Sequence, residues 1–429
     1  MSSEIPDPFA HPDVLAEPTG TIGARPGRRG TARLGTAFFI GGLGWVFANT
    51  VLTGVITAAK LAILAPEDKV VLLGLITALT AIVSTVILFF WGAISDLTRS
   101  RFGRRTPWII IGAIGGLLGL VFVALADTVP LFIVALVIYS IMFNALPPAM
   151  LAVFPDRVPR TKRGTMSAVY GGAQLVAGSV AVIVASGFIT APDTVLYIAG
   201  GVLLVSAVLF VLIAPDSDNR DQPRERMNMR GLLHAFRFPA KAPDFYWAFA
   251  GRFLLLLGFF MVTNFTLYIL TDFIGLSNEE AGGILALSGL ALLVSTAIGT
   301  FVAGPLSDRI GRRKMPIFVA VMLFVVALAL PLIFQTGWSM IAFTAVAGLG
   351  LGAFLSVDTA LMTEVLPSDE EAGKDLGILN TANTVPAIVA PIVTSTIVAS
   401  GLGYPPVFIV SIVIVLIGGF SIFKIKSVR

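Results

Sequence analysis

Apolar residues gather in twelve long stretches separated by short polar breaks, near 34–62, 70–95, 107–126, 130–154, 164–190, 194–214, 244–271, 281–304, 314–334, 338–365, 375–399 and 405–424. Each approaches the ~20 residues with which a helix crosses ~30 Å of hydrocarbon, and each far exceeds the ~4–8 residues of a strand buried in a soluble sheet. The pattern predicts an all-α integral membrane protein with twelve transmembrane helices. The longest polar break after the start of the chain is 215–243, "PDSDNRDQPRERMNMRGLLHAFRFPAKAP", and it divides the spans six and six. Four segments follow: a tail (1–33), an N-terminal six-helix bundle (34–214), a linker (215–243) and a C-terminal six-helix bundle (244–429). The tail carries five prolines, four acids and four arginines without an apolar h-region, which reads as a disordered cytoplasmic tail and not as a cleaved signal peptide.

The two halves repeat each other. "GAISDLTRSRFGRR" (92–105) follows the second span and "GPLSDRIGRR" (304–313) follows the eighth. Gly92 and Gly304, Asp96 and Asp308, and Pro155 and Pro367 each stand 212 residues apart. Equal offsets at three places indicate two pseudo-symmetric bundles related by duplication, with a solute site expected at the midplane between them.

Composition narrows the chemistry. The 429 residues are 56% hydrophobic and 13% charged, with a mean hydropathy of +0.92. The absence of cysteine removes disulfides and thiolate nucleophiles. Both histidines, His11 and His234, fall in polar segments, so imidazole catalysis or a metal site within the membrane is not expected. An enzyme is poorly equipped here, and no G-x-x-x-x-G-K-[ST] loop supplies ATP drive. A pI near 9.4 does not point to nucleic acid. Of 29 Lys and Arg, 26 lie in the tails and in loops 2–3, 4–5, 6–7, 8–9 and 10–11; Lys60 and Lys69 flank loop 1–2, and Arg252 lies inside a span. The positive-inside rule then places both termini in the cytoplasm of a multi-pass plasma-membrane protein, expected to be a monomer in contact with lipid and a small solute.

Twelve spans in two halves, with G-x-x-S-D-x-x-x-x-x-x-G-R-R after the second span and a shorter copy after the eighth, resemble the major facilitator superfamily over the whole chain except the tail. The first copy, "SDLTRSRFGRRTPW", is most similar to the branch of glycoside, pentoside and hexuronide cation symporters and sucrose carriers. The resemblance implies a cytoplasmic gate made of Gly92, Asp96, Gly103, Arg104 and Arg105 in the first half, and Gly304, Asp308, Gly311, Arg312 and Arg313 in the second. It further implies that acids at the inner ends of spans 4 and 10 pair with these arginines: Asp156 with Arg104 or Arg105, and Glu364 with Arg312 or Arg313. The terminal carboxylates Asp96 and Asp308 are also placed to accept bonds from orphan N–H groups of another helix. Sodium-coupled members of the melibiose type carry carboxylates on span 2, whereas this span 2, "VVLLGLITALTAIVSTVILFFWGAI", has none.

Among the 54 charged residues, Arg252 and Asp358 are the two set well inside a span, each about eight residues from the cytoplasmic end of spans 7 and 10. Eight helical residues are ~12 Å, so the two share a depth. By the resemblance, spans 1, 4, 7 and 10 line a central cavity. Asp358 is therefore expected to be compensated by Arg252 with water reaching both, and its protonation is expected to free Arg252, with the proton as coupling ion; a static bridge between two helices and transport without coupling are the alternatives, and no other cofactor is expected.

Further cavity candidates are Trp45 and Asn49 on span 1, Tyr139 and Asn144 on span 4, and Thr263, Asn264 and Tyr268 on span 7, whose amides, hydroxyls and rings suit a neutral polyol. Gly348, Gly350 and Gly352 allow close helix approach or flexing on span 10, and Pro386 and Pro391 are expected to weaken span 11. The leading expectation is a secondary transporter for a small polar solute, a sugar or glycoside, working by alternating access. An exporter of amphipathic compounds and a transporter-like solute sensor are the alternatives.

Overall fold

A computed structural model of the chain describes residues 28–221, 239, 242–310, 313–365 and 372–425. The predicted tail and most of the linker lie outside the described residues. Twelve helices long and apolar enough to cross a membrane occur among them, which we number α1 (Ala32–Leu64), α2 (Lys69–Leu97), α3 (Thr106–Ala124), α4 (Val129–Arg157), α5 (Arg163–Ser186), α6 (Pro192–Ile213), α7 (Pro243–Thr263), α8 (Asn278–Ser307), α9 (Lys314–Phe334), α10 (Gly337–Asp358), α11 (Gly377–Leu402) and α12 (Pro405–Phe423). Prolines open five of them within the first two positions, where a missing N–H breaks no bond: Pro107, Pro130, Pro192, Pro243 and Pro405. At the start of α8, Ser277 and Glu280 form a reciprocal capping box, with the Ser277 N–H donating to Glu280 Oε2 at 2.9 Å and the Glu280 N–H donating to Ser277 Oγ at 3.3 Å.

Three of the helices predicted to line the cavity are irregular. A π-helical segment, Leu52–Ile56, interrupts α1. The α-helix of α4 stops at Phe143 and resumes at Leu146, ahead of Pro147 and Pro148. α7 stops at Thr263 and is followed by a short turn, Thr266–Tyr268, and a π-helical segment, Ile269–Phe273. By contrast the helix of α10 runs unbroken to Glu364, and α11 passes through Pro386 and Pro391 as continuous helix. Large apolar side chains such as Phe301 (79% exposed) and Leu212 (64%) coat the outside, as lipid contact requires.

The span 10 glycines serve close approach. A Cβ built on Gly352 would sit 2.2 Å from the Thr296 carbonyl oxygen of α8, and one on Gly350 would sit 3.0 Å from the Ala320 carbonyl oxygen of α9. Contacts between the halves gather at the end opposite the 2–3 and 8–9 loops; the loop-bearing end is called the basic end below. There α2 meets α11, where a Cβ on Gly74 would lie 2.8 Å from the Pro391 carbonyl oxygen, and α5 meets α8, where a Cβ on Gly282 would lie 2.6 Å from the Ser186 carbonyl oxygen. Toward the basic end, Gly92, Gly164 and Gly377 have no atom within 4 Å of such a Cβ. Gly377, Asn380 and Thr384 form an exposed stripe along the part of α11 nearest the basic end.

Candidate functional site

The two intramembrane charges meet. Arg252 Nη1 lies 2.9 Å from Asp358 Oδ2, joining α7 to α10, with the arginine side chain 13% exposed and the aspartate 3%. Arg252 also donates from Nε to Asn383 Oδ1 on α11 at 2.6 Å, and Asn383 Nδ2 donates to Asn380 Oδ1 at 3.0 Å. The expectation that water reaches both members of the pair needs correction. Asp358 is 2% exposed on a buried stretch of its helix, with Phe354, Val357, Leu361 and Met362 equally buried and the Arg252 guanidinium 2.9 Å away. Low polarity strengthens the attraction but makes an unpaired carboxylate there expensive, so the pair stands or falls together.

The cavity candidates divide. Trp45 stays half-buried and its Nε1 donates to Tyr170 Oη of α5 at 3.1 Å. Asn49 is half-buried one turn further on. Thr263 donates to the Phe259 carbonyl oxygen at 3.0 Å, and Asn264 is half-buried at the α7 break. Tyr139 and Asn144 are packed among the helices, and Tyr268, though buried, borders the cleft at the far end described below. Tyr139 is 2% exposed, stacks on Phe143 with ring centroids 5.0 Å apart, and backs onto Gly119 of α3, whose lack of a side chain makes room for it. Asn144 turns toward α2, donating to Ser84 Oγ at 3.1 Å and to the Ser140 carbonyl oxygen at 2.6 Å. Tyr268 is fully buried and donates to the Ala58 carbonyl oxygen of α1 at 2.8 Å. The face of a helix predicted from period 3.6 assumes an unbroken helix, and α4 and α7 break at Asn144 and Asn264.

At the basic end the first repeat is a closed cluster. Arg105, 5% exposed, pairs through Nη1 with Asp96 Oδ1 at 2.6 Å and through Nε with Asp156 Oδ2 at 3.3 Å, and donates to Ser95 Oγ at 3.0 Å. Arg104 Nη2 pairs with Asp156 Oδ1 at 2.7 Å. Asp96 thus takes a guanidinium in place of the orphan N–H groups anticipated for it. Gly103 adopts φ +83°, open to glycine at little cost, and a Cβ there would strike Asp216, whose Oδ2 accepts from the Arg105 N–H at 3.1 Å. In the second repeat Arg313 Nη1 donates to Ser307 Oγ at 3.2 Å, matching Arg105 and Ser95, and a Cβ on Gly304 would lie 3.7 Å from Ser356 Cβ. Gly311, Arg312 and the side chains of Asp308 and Glu364 lie outside the described residues.

Sequence reasoning left three features unassigned. Tyr170 is one. The others are cations at the far end: Lys60, 4% exposed, bonds Asp193 Oδ1 at 2.6 Å within the first half, and Lys69 Nζ bonds Asp272 Oδ1 at 2.7 Å across the halves. Lys69 also stands 5.0 Å from the Tyr268 ring centroid, and Tyr404 Oη donates to Asp272 Oδ2 at 3.4 Å. Beside them a cleft of about 360 Å³ is lined by Ala59, Thr190, Leu267, Thr271 and Asn278. The acidic residues between spans 7 and 8 were the available signal, but nothing local says which lysine they face. Among the described residues, no group of three or more His, Asp or Glu could hold a metal ion.

Residues 34–296 and 268–428 match the family model described as Major Facilitator Superfamily. A probable 4-methylmuconolactone transporter from Cupriavidus pinatubonensis is 32% identical over 136 residues, 32% of this chain and 30% of that protein. A D-xylose transporter from Levilactobacillus brevis is 32% identical over 80 residues, 19% of this chain and 17% of that protein. A glucose transport protein from Synechocystis is 36% identical over 85 residues, 19% and 18%. The chain therefore spans a third or less of the length of each of these curated relatives. Two solved structures share the fold at low identity: a bacterial homolog of the human lysosomal transporter Spinster (TM-score 0.70, 16% identity, 93% of this chain and 98% of that one) and the nucleoside transporter NupG (TM-score 0.71, 14%, 92% and 99%).

Proposed function

The chain belongs to the Major Facilitator Superfamily, and from that premise we propose that it is a proton-coupled secondary transporter of a small polar solute, with a sugar or glycoside as the favoured class. The observation that carries the reading is the Arg252–Asp358 pair, 2.9 Å apart and buried among the helices of the second half. Structural ion pairs exist, but this one is shared with a third helix through Asn383 and Arg252 is the less buried of its two members, which supports a contact able to switch. The resemblance of the first loop to the glycoside, pentoside and hexuronide branch and the sugars named in the relatives support the solute class.

The positive-inside distribution supports a plasma-membrane orientation with the basic end in the cytoplasm. In that orientation the halves are closed outside and open inside. Rocking about the pair would present the same face to the other side, and Asp96, Arg104, Arg105 and Asp156 would then latch the inner ends. Protonation of Asp358 removes its charge and releases Arg252, so one conformation is stabilised only while the proton is bound.

The test uses purified protein in proteoliposomes, with D-xylose and D-glucose as probes chosen after a thermal-shift screen. Wild-type uptake should rise when the vesicle interior is made alkaline relative to the outside, because a proton entering with the solute then moves down its gradient. Asp358→Asn, which cannot release a proton, should show uptake indifferent to the gradient. Gradient-driven accumulation by Asp358→Asn equal to wild type would remove the proton role.

A further inference from the structure

The polar stripe "NTANT" on α11 enters the reading above only through the bond from Arg252 to Asn383, yet it completes a chain of contacts. From the buried carboxylate outward run Asp358, Arg252, Asn383 and Asn380, joined at 2.9, 2.6 and 3.0 Å. Exposure rises along the same line: 3% and 13% for the two charged side chains, then half-buried Asn383 and exposed Asn380. Thr384 continues the exposed stripe one turn further. An exposed row of amide and hydroxyl groups on a spanning helix faces water, because in hydrocarbon each unpaired polar group costs several kcal/mol.

An asparagine amide presents one donor edge and one acceptor edge, the pattern that matches two neighbouring hydroxyls. Asn383 spends its acceptor on Arg252 and its donor on Asn380. A solute hydroxyl that takes either edge competes directly with a partner that leads to the ion pair.

We propose that Asn380 and Asn383 form a hydroxyl-reading subsite on α11, and that Asn383 is shared between a polyhydroxylated solute and Arg252, so that occupancy of the subsite is transmitted to the Arg252–Asp358 pair. Asn380 is a direct solute contact. Asn383 is both a contact and the positioning residue for the guanidinium. This rests on the transporter reading above and names where the solute is read in the second half.

The test measures D-xylose and D-glucose binding to the purified full chain by thermal shift at pH 6 and pH 8, with the unfolding midpoint of each ligand-free variant as the check on folding. Asn380→Ala, an exposed change, should weaken binding about tenfold and keep the wild-type ratio of affinities between the two pH values. Asn383→Ala should weaken binding comparably and bring that ratio toward one. Wild-type affinity in Asn380→Ala, or an unchanged ratio in Asn383→Ala, would overturn the proposal. If neither sugar shifts the wild type, the solute class proposed above fails, and the subsite is judged without a ligand. The chain has no cysteine, so Asn380→Cys carries its sole thiol. Reaction of Asn380→Cys with a water-soluble maleimide at least tenfold faster than that of lipid-facing Val413→Cys supports a water-facing subsite, and equal rates refute it.

Discussion

The middles of the two halves are built on one plan and carry different chemistry. Stepping back by the repeat offset of 212 residues takes Arg252 into the "FIGGLG" stretch of α1 and Asp358 into the "ALPPAM" stretch of α4, and neither holds a charge. Where α7 reaches α10 through an ion pair, α1 reaches α4 by bare packing: a Cβ on Gly41 would lie 2.7 Å from Met150 Cε. The break in α4 at Asn144 has no counterpart in α10, which stays helical through Asp358. The first half instead offers Trp45 and Tyr170, an aromatic pair with no net charge. The two halves thus share a frame and differ at these matching positions, packing without charge in the first and an ion pair in the second.

The comparison breaks most visibly at Asp358. Asp358→Leu leaves Arg252 facing a carboxylate that is no longer there, and should cost about 3–5 kcal/mol of stability, read as a lowered unfolding midpoint in detergent. Arg252→Met combined with Asp358→Leu makes the second half resemble the first. It should regain most of that stability while showing no proton-driven transport; full transport in the double variant would mean that the pair serves only to join helices.

A second test asks whether the closed loop cluster of the first repeat holds its half together. Arg105→Ala removes bonds to Asp96, Asp156 and Ser95 at a nearly buried position and should cost about 2–4 kcal/mol in the same measurement. A loss below about 1 kcal/mol would place the cluster with ordinary solvated surface pairs.

Smaller effects sharpen the picture at the far end. Lys69 and Asp272 join the halves but are 20% and 28% exposed, so Lys69→Ala should release about 1 kcal/mol of closing bias. That is roughly a fivefold rise in maleimide labelling of Thr190→Cys in the adjoining cleft, and unchanged labelling would show that the tie does not hold the closed end. Smallest is Ser277→Ala, which removes the α8 capping box; it should cost about 1 kcal/mol of stability and leave transport untouched.

Some of the site was legible in the sequence because few other arrangements were physically open. A lone Asp in one span and a lone Arg at the same depth in another leave little choice but to meet, since each alone costs several kcal/mol in hydrocarbon. The loop motif was legible through its repetition, and the pairing of Asp156 with its arginines through the resemblance to the family. Asn383 was not, because an amide carries no such penalty signal and its partner lies 131 residues away. Tyr139 was misplaced because a tyrosine on a cavity helix fits chamber and packing alike, and Gly119 made the choice; Tyr268 is buried against the Ala58 carbonyl and borders the cleft at the far end.

The twelve spans, their lengths, the duplicated loops and the unequal distribution of Lys and Arg between loops were set by the chain itself, because hydrocarbon thickness and backbone hydrogen bonding act on local stretches. Tertiary structure decided which side chains face the gap between the halves. Helix breaks at Asn144 and Asn264 reset the faces that a regular period would assign, and contacts such as Trp45 with Tyr170, Lys69 with Asp272 and Arg252 with Asn383 join residues whose proximity depends on how whole helices pack.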